Sequence, residues 1–216
     1  MQPRGVLFDM DGLLLDTERL ILDCYLHSAS LHSLGDIEPV LLSLIGVRRK
    51  ECEVILASEI ANDNLLADFL READAAFRKR SGAGIPVKSG VQELLENLKG
   101  KGLPCAVATS SQTLVAQVHL EMAGLLTFFE TVTGGDQVVH AKPAPDIYVM
   151  AAQTIGLRAD ECVAFEDSDP GTRAAHASGA RVVQVPDINL PSDEVCALGH
   201  TIAPSILEGA KMVSLI

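Results

Sequence analysis

Residues 4–9 form a short, mainly apolar run that ends on an acid, the pattern of a buried strand. From 16 to 81 the pattern changes. Thr17-Glu18-Arg19-Leu20-Ile21-Leu22 opens a helix, and Gly46 precedes a second one from Val47 to about Ile60. From Asn64 to about Arg80, Leu65, Leu66, Phe69, Leu70, Ala73, Ala76 and Phe77 recur at helical spacing. No strand pattern stands out in this block. Ser81-Gly82-Ala83-Gly84-Ile85-Pro86 reads as a linker.

Beyond the linker, helices and short apolar strands alternate. Ser89 and Gln92 have the spacing of a capping box for a helix that stops near Gly100 or Gly102. Strands are expected at Cys105–Ala108, Phe128–Thr133, Cys162–Phe165 and Arg181–Val185. Helices are expected at Gln112–Ala123, Pro145–Ile155 and Pro170–Ser178, each closed by a glycine, with a last one at roughly Pro204–Leu215. Such alternation implies an α/β core with a parallel sheet covered on both faces. The helical block interrupts it after the first strand, so residues 1–15 and 82–216 form the core and 16–81 an inserted, all-helical domain. There are no repeats or low-complexity segments.

Composition sharpens this picture at three points. Apolar residues make up 48% of the 216, enough for a sizeable core, but aromatics are 4% with no Trp, so aliphatic side chains must fill it. The formal net charge of −12 disfavours nucleic acid and anionic membrane surfaces as partners, and it requires any phosphate site to be made locally positive. The five cysteines, Cys24, Cys52, Cys105, Cys162 and Cys196, are widely spaced without a C-x-x-C and read as reduced thiols. With no signal-peptide pattern and no membrane-length apolar run, the expectation is a soluble, cytoplasmic, monomeric protein.

Candidate chemistry collects where strands end, which is where parallel sheets bind ligands. Asp9-Met10-Asp11-Gly12 places two carboxylates two residues apart, able to serve as nucleophile and proton carrier if their surroundings separate their pKa values. Thr109-Ser110-Ser111 can offer hydroxyls and N–H groups to a phosphoryl oxygen. Lys142, stiffened by Pro143 and Pro145, can neutralise developing charge, and Glu166-Asp167 with Asp9 can give hard oxygen ligands to Mg²⁺. Each signal alone also describes something ordinary, whether a surface turn, a helix N-cap or a solvated Lys. Their shared position at strand ends is what sets them apart.

The segments FDMDGLLLDTE (8–18), AVATSS (106–111), KPAPD (142–146) and FEDSDPGTRAA (165–175) resemble the haloacid dehalogenase superfamily, and within it the β-phosphoglucomutase-like phosphatases. The resemblance implies a Rossmann-like core, a helical cap over it, and a small phosphorylated metabolite as substrate. It assigns Asp9 as the phosphorylated nucleophile and Asp11 as general acid and base. Thr109 and the Ser110 N–H become phosphoryl-binding groups, and Lys142 the cation beside nucleophile and phosphate. The Mg²⁺ ligands would be Asp9, the Asp11 carbonyl, Glu166 and Asp167. Arg49, in the cap loop, would meet the substrate's far end. Ile21 and Ile45 stand where the mutases have His and Lys, which favours hydrolysis over phosphosugar mutase chemistry. Ala141 replaces the commoner Gly before Lys142. The second acid Asp11 and the pair Glu166-Asp167 speak against a metal-free dehalogenase, and the complete motif set speaks against a silent binding protein.

Overall fold

The computed structural model describes residues 2–82 and 84–216, so Met1 and, within the expected linker, Ala83 lie outside it. The first apolar run is strand β1 (Gly5–Phe8). Four helices follow: α1 (Thr17–Leu31), α2 (Glu38–Ser43), α3 (Arg49–Ile60) and α4 (Asp63–Ser81). Helix α2 was not expected; six residues hold under two turns, too few for a period to show, and Pro39 sits in its first turn, where a missing N–H does no harm.

The alternating part then runs α5 (Val91–Gly100), β2 (Cys105–Ala108), α6 (Thr113–Met122), β3 (Thr131–Thr133), α7 (Asp146–Thr154), β4 (Cys162–Glu166), α8 (Asp169–Ala177) and β5 (Arg181–Gln184). It closes with α9 (Asp193–Cys196), β6 (Thr201–Ile202) and α10 (Ile206–Met212). The capping box expected at Ser89 is not formed. The helix starts after Gly90, which has φ +82° and no side-chain cap, so the sharp turn into α5 takes the place of a hydroxyl. β3 is also shorter than expected, because Leu126–Phe128 is a 3₁₀ turn.

All six strands pair in parallel, in the order β3-β2-β1-β4-β5-β6. The chain runs outward from β1 through β2 to β3, then crosses back to β4 on the other side of β1. Strand order therefore reverses at β1, where a crevice opens beyond the carboxyl ends. Alternate residues face opposite sides of the sheet. Val6, Phe8, Val107 and Phe165 pack beneath Leu94, Leu98, Leu120 and Ile206, with the Phe8 and Phe165 rings stacked at 5.3 Å. Leu7, Ala106, Ala108 and Ala164 pack beneath Tyr148, Ala151 and Ala174. The small residues on this second face let α7 and α8 lie close to the sheet.

Helices α1–α4 have an apolar cluster of their own around Tyr25, Leu41, Leu56 and Phe69, in which the Tyr25 and Phe69 rings stack at 5.5 Å. Each large side chain buried there contributes about 1.5–3 kcal/mol. Both crossings between these helices and the sheet meet at one acid. Asp187, just after β5, accepts from Arg19 of α1 at 2.7 Å and from Lys88 of the second crossing at 2.5 Å. None of the helices among the described residues is long and apolar enough to cross a membrane, and all five cysteines are free thiols.

Candidate active site

Asp9 follows the last residue of β1, and its N–H donates to the Phe165 carbonyl of β4 at 3.0 Å. This register sets the ends of β1 and β4 side by side. Lys142 reaches in from the loop before α7 and donates to Asp9 Oδ1 and Glu166 Oε1, each at 2.5 Å. The Lys142 side chain is 3% exposed and that of Glu166 0%. Glu166 is fully used by the protein. Its Oε1 also accepts from the Tyr148 hydroxyl at 2.7 Å, and its Oε2 from the Asp167 and Ser168 N–H groups and the Ser168 hydroxyl. Gly171 makes room for it, since a Cβ there would run into the Glu166 carboxylate. Glu166 therefore fixes Lys142, and Lys142 fixes Asp9.

Asp11 is held differently, entirely by hydroxyls. Thr17 donates to Oδ1 at 2.5 Å, and Ser111 and Thr109 donate to Oδ2 at 2.8 and 3.2 Å. The Ser111 N–H in turn donates to the Thr109 hydroxyl at 3.1 Å. Gly12, at φ +84°, turns the chain back so tightly that a Cβ would collide with Asp167 and Glu18. Asp9, Asp11, Thr109 and Ser110 all border one cavity of about 660 Å³ between the sheet and the helices.

The electrostatics of the pocket are one-sided. Burial pushes the Asp9 carboxyl up to about 8, against the pull of Lys142. Burial and then Glu18 raise Asp167 well above the usual carboxylate range, and burial and then Asp11 do the same to Glu18. Burial alone would discharge Lys142, but Asp9 and Glu166 together outweigh it and keep the ammonium charged. One cation thus faces a group of buried acids. Oxygens of Asp9, Glu166 and Asp167 lie within 4.8 Å of one another, a set of hard donors that fits a small divalent cation. Since both Glu166 oxygens are already engaged, Asp9 and Asp167 are the side chains left to meet it directly.

A profile of the family described as Haloacid dehalogenase-like hydrolase matches residues 6–185, from β1 to the end of β5. The chain belongs to the haloacid dehalogenase-like hydrolases. It is 31% identical over 184 residues to the Fructose-1-phosphate phosphatase YqaB of Escherichia coli, covering 84% of this chain and 95% of that one. It is equally 31% identical, over 175 residues and 81% of each chain, to the Phosphorylated carbohydrates phosphatase of Thermotoga maritima. A crystal structure of a HAD family hydrolase from Deinococcus radiodurans, with bound phosphate and sodium, superposes with a TM-score of 0.75 at 25% identity, covering 97% of this chain and 93% of that one.

Three features of the hydrolase's site escaped the sequence. Glu18 lies in a quoted motif but drew no role; it is buried, its Oε1 accepts from the Gly46 N–H at 2.9 Å, and its Oε2 has no partner. Tyr148 carries only a helical signal in the sequence, yet its buried hydroxyl donates to Glu166. Arg48 carries no motif signal, yet its Nη2 donates across to the carbonyls of Gly135 and Val138 at 2.6 and 3.1 Å, tying the loop before α3 to the segment that leads to Lys142. The Ser110 hydroxyl donates to the Gly46 carbonyl at 3.2 Å from the other side of the same seam. Arg49 also lines the cavity, with its guanidinium held by Asp74 and Glu53.

Proposed function

We propose that this hydrolase is a Mg²⁺-dependent phosphatase that cleaves a small phosphate monoester, a sugar phosphate, through a phosphorylated Asp9. The observation that carries this reading is the chain Glu166–Lys142–Asp9, which aims a buried carboxylate at the cavity, with a second carboxylate, Asp11, held at the same cavity by hydroxyls alone. The relatives named above as phosphatases of fructose 1-phosphate and of phosphorylated carbohydrates point to the same substrate class.

In this mechanism an Asp9 oxygen attacks phosphorus in line with the bridging oxygen. The P–O bond to the alcohol breaks, and Asp11 gives its proton to the departing alkoxide. Ionised Asp11 then takes a proton from water, whose oxygen attacks the aspartyl-phosphate and returns Asp9 and inorganic phosphate. The Thr109 hydroxyl and the Ser110 N–H hold phosphoryl oxygens, and Lys142 offsets the charge on nucleophile and phosphate. Positioning and charge neutralisation of this kind are most of what phosphoryl transfer needs. Asp9, Asp167 and the Asp11 carbonyl would hold Mg²⁺, with Glu166 behind them; the ion supplies positive charge for the phosphoryl oxygens. Residues 16–81 act as the cap, closed over the core of 1–15 and 82–216, and the Arg49 region faces the far end of the substrate.

The test is phosphate release from a panel of sugar phosphates, with Mg²⁺ and with chelator. Release is expected with Mg²⁺ and lost with chelator. Release that survives chelation would count against the ion's place in the reading.

The raised acids predict a pH dependence of stability. A carboxyl whose pKa is raised by folding holds its proton in the folded chain after the unfolded chain has released it, so stability falls as pH rises. For Asp9 the window runs from about 4, its ordinary value, to about 8. In chelator, the melting temperature should be lower at pH 8 than at pH 5, and added Mg²⁺ should narrow the gap. A melting temperature that rises between those pH values in chelator would refute the account.

A further inference from the structure

The phosphatase reading leaves open which sugar phosphates the cavity admits, and the charged residues of its lining bear on that choice. Arg49, the first residue of α3, sends Nη1 and Nη2 to Asp74 Oδ1 and Oδ2 of α4 at 2.9 and 3.1 Å, and Nε to Glu53 Oε1 at 2.8 Å. Every hydrogen bond it makes among the described residues therefore goes to a carboxylate, and both carboxylates line the cavity with it. Arg49, Glu53 and Asp74 are each about half exposed, so the fork biases the guanidinium and offsets its charge rather than locking it in place. Arg48 is committed to the carbonyls of the core, and Lys50 stands exposed. Ile21, Ile45 and Val47 add aliphatic side chains to the lining of the same cavity. The spare lone pairs on Glu53 and Asp74 accept hydrogen bonds and repel anions.

We infer that Glu53 and Asp74 select the substrate class: this enzyme takes a singly phosphorylated, otherwise uncharged, hydroxyl-bearing ester, and it discriminates against esters with a second phosphate or a carboxylate. This rests on the phosphatase reading. The acid pair holds Arg49 away from anionic groups and offers acceptors to hydroxyls, so selectivity comes from a repulsive element as well as an attractive one.

The experiment compares kcat/KM for a hexose 6-phosphate with that for hexose 1,6-bisphosphate and phosphoglycolate. It uses the wild type, the single variants Glu53→Gln and Asp74→Asn, and the double variant, with thermal melts as a check on folding. The wild type should favour the hexose 6-phosphate by about tenfold or more. The amides weaken the hold on the guanidinium and take carboxylate acceptors from the sugar hydroxyls, so the preference should shrink by about tenfold, through a lower KM for the anionic esters and a higher KM for the hexose 6-phosphate. If the double variant does not fold, the single variants decide. A wild type that takes the anionic esters as readily, using Lys50 as its cation, would overturn the inference, as would an unchanged preference in well-folded variants. No release from any ester in the wild type would instead sink the phosphatase reading and the inference with it.

Discussion

Replacing Asp9 with Asn should lower phosphate release by roughly 10⁴- to 10⁶-fold, the range seen when a covalent nucleophile is removed. The amide keeps the size of the carboxylate and still presents an oxygen to Lys142, which sits 2.5 Å from Asp9 Oδ1, so the pocket has no reason to collapse. What disappears is the oxygen anion that attacks phosphorus. The same change removes a buried acid whose pKa burial lifts to about 8, so the variant should be no less stable than the wild type at pH 8 in chelator. Lost turnover with retained stability is the signature of a nucleophile. A variant that kept a tenth of the activity would place the nucleophile elsewhere.

Lys142→Met should affect both quantities. Lys142 is the only cation bonded to Asp9 and Glu166 among the described residues, and both carboxylates are buried with it. Deleting one partner of a buried charge pair typically costs about 3–5 kcal/mol, and here Glu166 would be left with its cation removed, whereas Asp9, already raised by burial, can hold a proton. Denaturant unfolding in chelator should show a loss of that order, and Mg²⁺ should restore part of it by standing among the same acids. Turnover should fall by about 10²- to 10³-fold even with Mg²⁺ present, because a fixed charge aimed at the reacting groups is lost. A variant as stable as the wild type in chelator would show that Lys142 does not balance these acids.

The sequence carried the sheet well because its strands are buried on both faces. Cys105–Ala108 and Cys162–Phe165 are continuous apolar runs between glycine-closed helices, and such runs have few other uses. It carried α2 and β6 poorly, since six and two residues cannot display a period. The acids at the strand ends were legible for a related reason. Asp9, Asp11, Glu166 and Asp167 follow directly from strands whose direction and neighbours the fold dictates. What could not be read was pairing between distant segments. Glu18 meets the Gly46 N–H, Tyr148 meets Glu166, and Arg48 meets carbonyls near residue 136, contacts set by how the helices settle on the sheet. The resemblance pointed to Arg49 as a substrate contact, but nothing local announced that Asp74, 25 positions away, would hold it.

The order β3-β2-β1-β4-β5-β6 also determines how the site behaves in time. Its acids and hydroxyls grow from β2, β1 and β4, three adjoining strands of the four inside the sheet, whose residues are all buried. Backbone amides in such strands exchange with solvent only when the whole sheet opens, whereas helices with a separate small core can open at lower free energy. Amide exchange should therefore slow sharply from α1–α4 to these three strands. The phosphoryl-transfer groups would then have no partly frayed state between assembled and unfolded. Residual activity in a variant altered within the sheet but away from the site would measure the fraction of molecules that are folded.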